Sequence, residues 1–379
     1  MLELYIIVKR NEVVFLSKII FASETGKKGE LKKVWSGTIY GLYNSLSKLY
    51  QVDHYNVGIY DRGVITFIMR TINKIRYNFL GDDMNLLNEK ILCNFIKVDN
   101  LIPVLQFDET IWNNNNKRQY IFLDTYVNYI NRLREQNRLV FDASAYANIS
   151  KQSIQKRETY QNLFFKHVAG IFTMGKWLCN DMKKTFPEFK DKIYHVGGGC
   201  SISENLIDDS VEKKGNKFLF VGRDFKTKNG KKILEAFRIL HAKRKDVELY
   251  IAGIENNGID IEGVKVLGLL EYEELAKWYN TCDVFVMPSI FEMYGLVFIE
   301  ALIFGLPCIG RAAYEMPYFI EEKKTGMLLH GGAEELADIM EYTLNNNCKM
   351  KEYVRENREF YLREYSWDTV AKRIKNVMN

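Results

Sequence analysis

Over its second half the chain alternates short runs of β-branched and aromatic residues with segments of helical period. KFLFVG (217–222), VELYIAG (247–253), VKVLG (264–268), DVFVMPS (283–289) and PCIGR (307–311) read as strands. The segments KKILEAFRILHAKR, EYEELAKWYNTC and GLVFIEALIFG read as helices. Strands and helices in this alternation build a parallel sheet wrapped by helices, with loops at the strand ends placed to hold a ligand.

The first half is less regular, because polar stretches such as IWNNNNKRQY interrupt it. Strands are predicted at 17–23, 51–60, 102–107, 120–126, 138–142 (RLVFD), 170–174 and 192–197, and helices at 37–49, 64–80, 127–137 and 151–169. The helix over 64–80, VITFIMRTINKIRYNFL, has apolar residues at 65, 68, 69, 72, 75 and 79. Such a stripe is expected to cover the sheet; docking on an anionic membrane is the alternative. The acidic, polar stretch 203–216, SENLIDDSVEKKGN, has the composition of a linker and marks the expected domain boundary.

Composition narrows the class. At 379 residues, 47% hydrophobic and 27% charged, the chain suits two folded domains of ordinary size and neither disorder nor a fibre. No run approaches the roughly 20 apolar residues of a membrane span, and the start MLELYIIVKRNE turns polar too early for a secretory signal, so a cytoplasmic protein is expected. The six cysteines, Cys93, Cys179, Cys200, Cys282, Cys308 and Cys348, are scattered without a C-x-x-C pair; they are read as reduced, mostly buried and not metal-bound. Net charge is +9 over residues 1–200 and −4 over 201–379. A basic half suits an anionic surface or a phosphorylated substrate. No nucleic-acid-binding signature accompanies it, so nucleic acid is not an expected partner.

The most informative segment is 288–310, PSIFEMYGLVFIEALIFGLPCIG, after the strand DVFVM. Glu292 falls in a strand-to-helix turn, and Gly295 opens the helix that carries Glu300. Free amides near Gly295, Leu296 and Val297, with Met293 and Tyr294 leading into them, suit a diphosphate. A carboxylate further into the helix, Glu300, can accept hydrogen bonds from both hydroxyls of a ribose. Glu292 then faces the remainder of the ligand. Two surface glutamates bounding an amphipathic helix are the plain alternative.

Glu292 and Glu300, separated by seven residues and followed by Ala301, Gly305 and Pro307, resemble the E-x7-E signature of retaining glycosyltransferase family 4. FVGRDFKTKNGKKILEAF (220–237) resembles that family's strand, cationic loop and helix. By position Gly222, Arg223 and Lys228 match the segment that grips the donor pyrophosphate, while Lys226, Lys231 and Lys232 read as solvated. Gly253, Gly268 and Leu269 match the turns where the nucleobase docks. In YEMPYFIEEKKTGMLL (314–329) the family's usual glycine pair is replaced by Tyr314 and Glu315, and Glu315 could approach diphosphate or sugar. In the first half, Gly37 in KKVWSGTIYGLYNSL matches a glycine that permits close approach to phosphate or sugar; Gly26 and Gly29 precede it, either in a loop that moves or as turn glycines. Asp124, at a strand end, is the candidate for contacting the acceptor or assisting its hydroxyl, with an N-cap role equally open; Asp142 shares the ambiguity. Gly197, Gly198 and Gly199 fit a turn. The final stretch 363–378 resembles the family's terminal helix that crosses back onto the first domain, with Trp367 as its anchor.

The resemblance implies a GT-B fold: α/β, with two Rossmann-like doubly wound domains facing a cleft. The expected bounds are 1–205 for the acceptor-side domain, 206–360 for the nucleotide-sugar domain and 361–379 for the crossover helix. It implies transfer of a sugar, with retention, from a nucleotide-diphosphate donor to a saccharide, lipid-linked saccharide or glycoprotein. A UDP-sugar is expected over GDP-mannose as the commoner donor class. Glu292, Arg223, Lys228 and Asp124 are the expected catalytic set, with no cofactor and no metal. Peripheral attachment to the inner membrane face is left open. An epimerase of the same fold and a noncatalytic partner protein are the rival readings. The first lacks titratable groups for both sugar faces, and the intact Glu292, Glu300, Arg223 and Lys228 oppose the second.

Overall fold

A computed structural model describes residues 5–9, 12–25, 31–57, 64–82, 98–107, 109–200, 202–256 and 258–379. The chain divides into two units, Met1–Gly199 with Trp367–Asn379, and Cys200–Ser366.

The first unit opens with an antiparallel pair, β1 (Tyr5–Lys9) and β2 (Glu12–Leu16). Its main sheet is parallel, ordered β4-β3-β5-β6-β7-β8. These strands are β3 (Lys18–Ser23), β4 (Gln51–Asn56), β5 (Val104–Gln106), β6 (Gln119–Leu123), β7 (Gly170–Thr173) and β8 (Ile193–His195). Every residue of β5, β6 and β7 is buried. That is the mark of strands covered on both faces, and explains why these runs lack polar alternation. Around them run α1 (Thr38–Leu46), α2 (Val64–Leu80), α3 (Val127–Gln136), α4 (Arg138–Asp142), α5 (Lys151–His167) and α6 (Lys176–Thr185).

Two expectations for this unit fail. RLVFD is a helix, not a strand: the Asn137 side chain caps it by accepting from the Val140 amide at 3.2 Å. A strand would place Leu139 and Phe141 on one face, whereas consecutive Val140 and Phe141 are buried and Leu139 is 73% exposed. Asp142 is thereby spent on an i,i+4 ion pair with Arg138 at 2.9 Å. The second failure concerns α2, whose apolar face does not cover the sheet: Ile68, Ile72, Ile75 and Phe79 are exposed and Asn73 is buried.

The second unit is a parallel sheet ordered β11-β10-β9-β12-β13-β14. Its elements in chain order are β9 (Lys217–Val221), α7 (Gly230–Lys243), β10 (Glu248–Ala252), β11 (Val264–Gly268), α8 (Tyr272–Thr281), β12 (Val284–Val286), α9 (Leu296–Ile303), β13 (Cys308–Arg311), α10 (Met316–Phe319), β14 (Gly326–Leu329), α11 (Ala333–Asn345), α12 (Asn347–Glu356) and α13 (Arg358–Glu364). The stretch 203–216 is fastened to this unit. Asn280 Nδ2 donates to Leu206 O at 2.7 Å, Lys213 Nζ to Tyr279 O at 3.2 Å, and Arg358 clasps Asp209 through two bonds of 2.6 and 2.9 Å. The chain passes between units at Gly199/Cys200 and Ser366/Trp367, where Cys200 and Ser366 form a parallel β-bridge.

The last helix, α14 (Trp367–Met378), belongs to the first unit. A Cβ placed on Gly41 would lie 2.3 Å from the Trp367 indole, and one on Gly199 2.5 Å from it, so the two glycines leave the space the ring fills. Asp368 then accepts from Ser45 Oγ at 2.6 Å and from Lys48 Nζ at 2.7 Å.

Candidate functional site

In the second sheet the chain runs outward from β9 through β10 to β11, then returns to the other side of β9 with β12. Such a reversal leaves a crevice outside the carboxyl ends of the two central strands, where the following loops diverge. Here those are the β9–α7 loop, 222–229, and the β12–α9 loop, 287–295.

The loops are stitched together. The Ile290 amide donates to Thr227 O at 2.9 Å and Asn229 Nδ2 donates to Pro288 O at 3.0 Å. Lys228 pairs with Glu292 across the crevice, with both side chains mostly buried. Two residues 64 positions apart in sequence are thus joined at the switch point. Arg223 stands exposed on the same loop as Lys228 and makes no ion pair among the described residues. From the adjacent strand end, Arg311 Nη1 donates to Ile290 O at 2.8 Å. Its guanidinium lies 6.0 Å from the centre of the Tyr314 ring, which meets Phe291 edge-on. Tyr314 occupies the left-handed region at φ 58°, the conformation expected of the glycine it replaces, and Glu315 beside it is buried.

Gly295 caps α9 at φ 93° and ψ 63°, where a side chain would be strained. No side chain caps the helix, so the amides at Leu296 and Val297 keep the anion-binding character of a helix start. Met293 and Tyr294 turn inward, Tyr294 packing edge-on against Phe319 at 5.2 Å; they offer the site only backbone. Along α9, Glu300 is held by neighbours the sequence did not suggest. Tyr279 Oη, fully buried on α8, donates to Glu300 Oε2 at 2.9 Å, and Cys200 Sγ approaches Oε1 at 3.9 Å. Burial pushes the Glu300 carboxyl above its usual range, against the lowering effect of those two bonds. Burial and the adjacent Glu300 push the Tyr279 phenol well up as well, so it stays a donor. Only the position of Tyr279 on the buried face of a helix, not any motif, could have pointed to it.

Gly222, Gly253 and Gly268 stand side by side at the ends of β9, β10 and β11: Gly222 N donates to Ala252 O at 3.0 Å and Gly253 N to Gly268 O at 2.8 Å. A Cβ on Gly253 would lie 2.7 Å from Gly222 O, so the close strand ends require glycine. Leu269, next along, is exposed.

Eleven of the predicted positions therefore share the carboxyl edge of this sheet: Gly222, Arg223, Lys228, Gly253, Gly268, Leu269, Glu292, Gly295, Leu296, Val297 and Glu300. Gly37 and Asp124 belong to the other unit. Gly37 caps α1 at φ 84°. Asp124 follows β6 and is half-buried, but it is not the cap of α3. That position is Tyr126, and the first helical amide, Val127 N, donates to Gln161 Oε1 at 2.7 Å. Gly26, Gly29 and Cys93 lie outside the described residues. Of the other cysteines, all free, Cys179, Cys282 and Cys308 are buried, Cys200 is half-buried and Cys348 is exposed.

Residues 203–360 match the family model of glycosyl transferases group 1. An uncharacterized 41.2 kDa protein of the cps region of Klebsiella pneumoniae is 29% identical over 153 residues, 39% of this chain and 43% of that protein. An uncharacterized glycosyltransferase of Methanocaldococcus jannaschii is 27% identical over 232 residues, 55% of this chain and 59% of that protein. The chain spans about half the length of these two relatives. Among solved structures, WaaG, a glycosyltransferase involved in lipopolysaccharide biosynthesis, superposes with a TM-score of 0.60 at 11% identity, over 95% of this chain and all of its own. The pneumococcal O-GlcNAc transferase GtfA, solved with UDP and GlcNAc, superposes with a TM-score of 0.51 at 19% identity, over 69% of this chain and 56% of its own. These two likenesses give the fold: two Rossmann-like parallel-sheet units of the GT-B class.

Proposed function

We propose that the protein is a retaining glycosyltransferase that moves a hexosyl group from a UDP-sugar to a hydroxyl of a saccharide, lipid-linked saccharide or glycoprotein, without a metal ion. The observation that carries this reading is the Lys228–Glu292 pair spanning the switch point, with the half-buried carboxylate of Glu300, bonded by Tyr279, on the helix that Gly295 opens. The match to glycosyl transferases group 1 covers the same residues, and the GtfA neighbour was solved with UDP.

In this reading Glu300, oriented by Tyr279, accepts the ribose hydroxyls, and the diphosphate rests on the amides of Leu296 and Val297. Glu292 orients the transferred sugar while Lys228 turns from it toward the phosphates beside Arg223. The bond from the anomeric carbon to the phosphate oxygen breaks, and the acceptor oxygen bonds to that carbon on the face the diphosphate leaves. The acceptor proton passes to the departing phosphate, so no nucleophile and acid pair of the hydrolase kind is required. Fixed cations stabilise the charge that develops on the leaving group. Asp124 is assigned to the acceptor side.

A panel of nucleotide sugars tested for slow hydrolysis, after calorimetry with UDP and GDP, examines this directly. UDP binding and release of UDP from at least one UDP-sugar are expected, with turnover falling about 10²- to 10³-fold in Arg223→Ala and Lys228→Ala. Unchanged turnover in both variants would overturn the assignment.

A further inference from the structure

The Lys228–Glu292 pair lies against bare backbone. A Cβ on Gly222 would stand 2.9 Å from Lys228 Cγ, and one on Gly295 would stand 3.3 Å from Glu292 Cγ. Glycine at both places lets the lysine stem lie close to the end of β9 and the glutamate stem close to the start of α9. Glu292 thus rests on the residue that precedes the Leu296 and Val297 amides, the seat of the diphosphate in the proposed donor site. The backbone on both sides is fixed. Asp224 accepts from the Thr227 amide at 3.0 Å and from the Thr227 hydroxyl at 2.6 Å, the Lys228 amide donates to Asp224 O at 2.9 Å, and the Ile290 amide donates to Thr227 O at 2.9 Å. Any exchange of partners at this place falls to the two side chains.

With the Lys228 side chain 22% exposed and that of Glu292 13% exposed, water and salt screen the pair little. An ammonium held this way is not available to a phosphate, and the carboxylate that holds it repels one. Two ligands of different chemistry then fare differently. A nucleoside diphosphate alone brings only negative charge up to Glu292, which keeps Lys228. A nucleoside diphosphate that carries a sugar also brings hydroxyls; these donate to the Glu292 carboxylate in place of the ammonium, which is released to the phosphates. Arg223, exposed on the same loop and without an ion pair among the described residues, is open to either ligand.

Given the donor site proposed above, on which this rests, we infer that the Lys228–Glu292 pair is a latch that makes the grip on the diphosphate conditional on the sugar, so that the donor is held in preference to the nucleoside diphosphate left after transfer. The test is calorimetry of the full chain with UDP, UDP-glucose, UDP-galactose and UDP-N-acetylglucosamine, on the parent, Glu292→Gln, Lys228→Met and the double variant. The parent is expected to bind at least one of the three UDP-sugars about 10-fold more tightly than UDP. Glu292→Gln is expected to bind UDP about 10-fold more tightly than the parent, because the pair no longer reduces the population of Lys228 free to meet phosphate, and to lose the preference for the sugar. Glu292→Ala takes its place should that protein lack a cooperative melting transition. In the Lys228→Met background the same glutamate change is expected to alter UDP affinity less than about twofold. A gain of equal size there reports plain repulsion between carboxylate and phosphate and overturns the inference. So does a Glu292→Gln protein that binds UDP no better than the parent, or a parent that binds UDP as tightly as each UDP-sugar; in these cases the donor site itself stands. A parent that binds none of the four nucleotides removes the donor site and the latch together.

Discussion

Helices α9 and α2 are both rich in apolar residues, and each contains a residue on the wrong side. In α9 every apolar side chain from Phe298 to Ile303 is buried, and the anomaly is Glu300, a half-buried carboxylate that accepts from the buried Tyr279 hydroxyl. In α2 the apolar side chains face out, and the anomaly is the buried Asn73. A carboxylate held half-buried at an electrostatic cost suits a small ligand that meets it. The expectation that burial follows polarity is strained in opposite directions by the two helices, by a carboxylate drawn partly inward in α9 and by apolar side chains turned outward in α2.

The sharpest contrast between the two helices comes from placing the same charge on each. Ile299→Asp buries an unpaired carboxylate at a site with no exposure and should prevent the second unit from folding, seen as loss of its cooperative melting transition. Ile72→Asp, on the exposed stripe, should leave stability within about 0.5 kcal/mol of the parent. Equal effects would erase the distinction. Next in size, Glu300→Ala should raise the UDP dissociation constant by about 10- to 100-fold, the loss expected of hydrogen bonds to a charged acceptor. Calorimetry showing less than a twofold change would remove Glu300 from the donor site.

The smallest effect is a pH dependence. The folded pKa of Glu300 is raised, so the stability associated with this group is present below the unfolded value and lost as pH climbs through the folded one. Glu300→Gln should therefore melt higher than the parent at pH 7, with the gain vanishing toward pH 4. A gain that is instead largest in acid would reverse the sign and remove the burial argument.

Much of this was legible beforehand, for identifiable reasons. The helix bounds at 64–80 and the starts of α3 and α5 follow from apolar period and flanking polar residues, and five of the six strands of the second sheet from their β-branched and aromatic runs, β14 being the one not read. Glu292 and Glu300 could be placed together because a strand-to-helix turn has a fixed geometry, and Lys228 with them because its loop resembles the family's cationic loop. RLVFD was misread because five residues support either period, and the cap that decides it comes from Asn137, outside the run. The partners of Glu300 were invisible for another reason. Tyr279 lies on a different helix and Cys200 100 residues away, so no local pattern joins them. The outward face of α2 was likewise unreadable, since periodicity gives a stripe but not the side on which the rest of the molecule lies.

The Trp367 indole filling the space left by Gly41 and Gly199 makes the first unit a body in two pieces, one ending at Gly199 and one starting at Trp367, with the 167 residues of Cys200–Ser366 synthesised between them. A ribosome completes Cys200–Ser366 as one continuous stretch, able to gather its own sheet as soon as it emerges. The earlier-made unit must wait, with the hollow over Gly41 unfilled, until the whole of the later one has been translated. Its maturation is thus timed by its neighbour's production, and a chain halted before residue 367 would release a second unit with all its strands beside a first that lacks its closing piece.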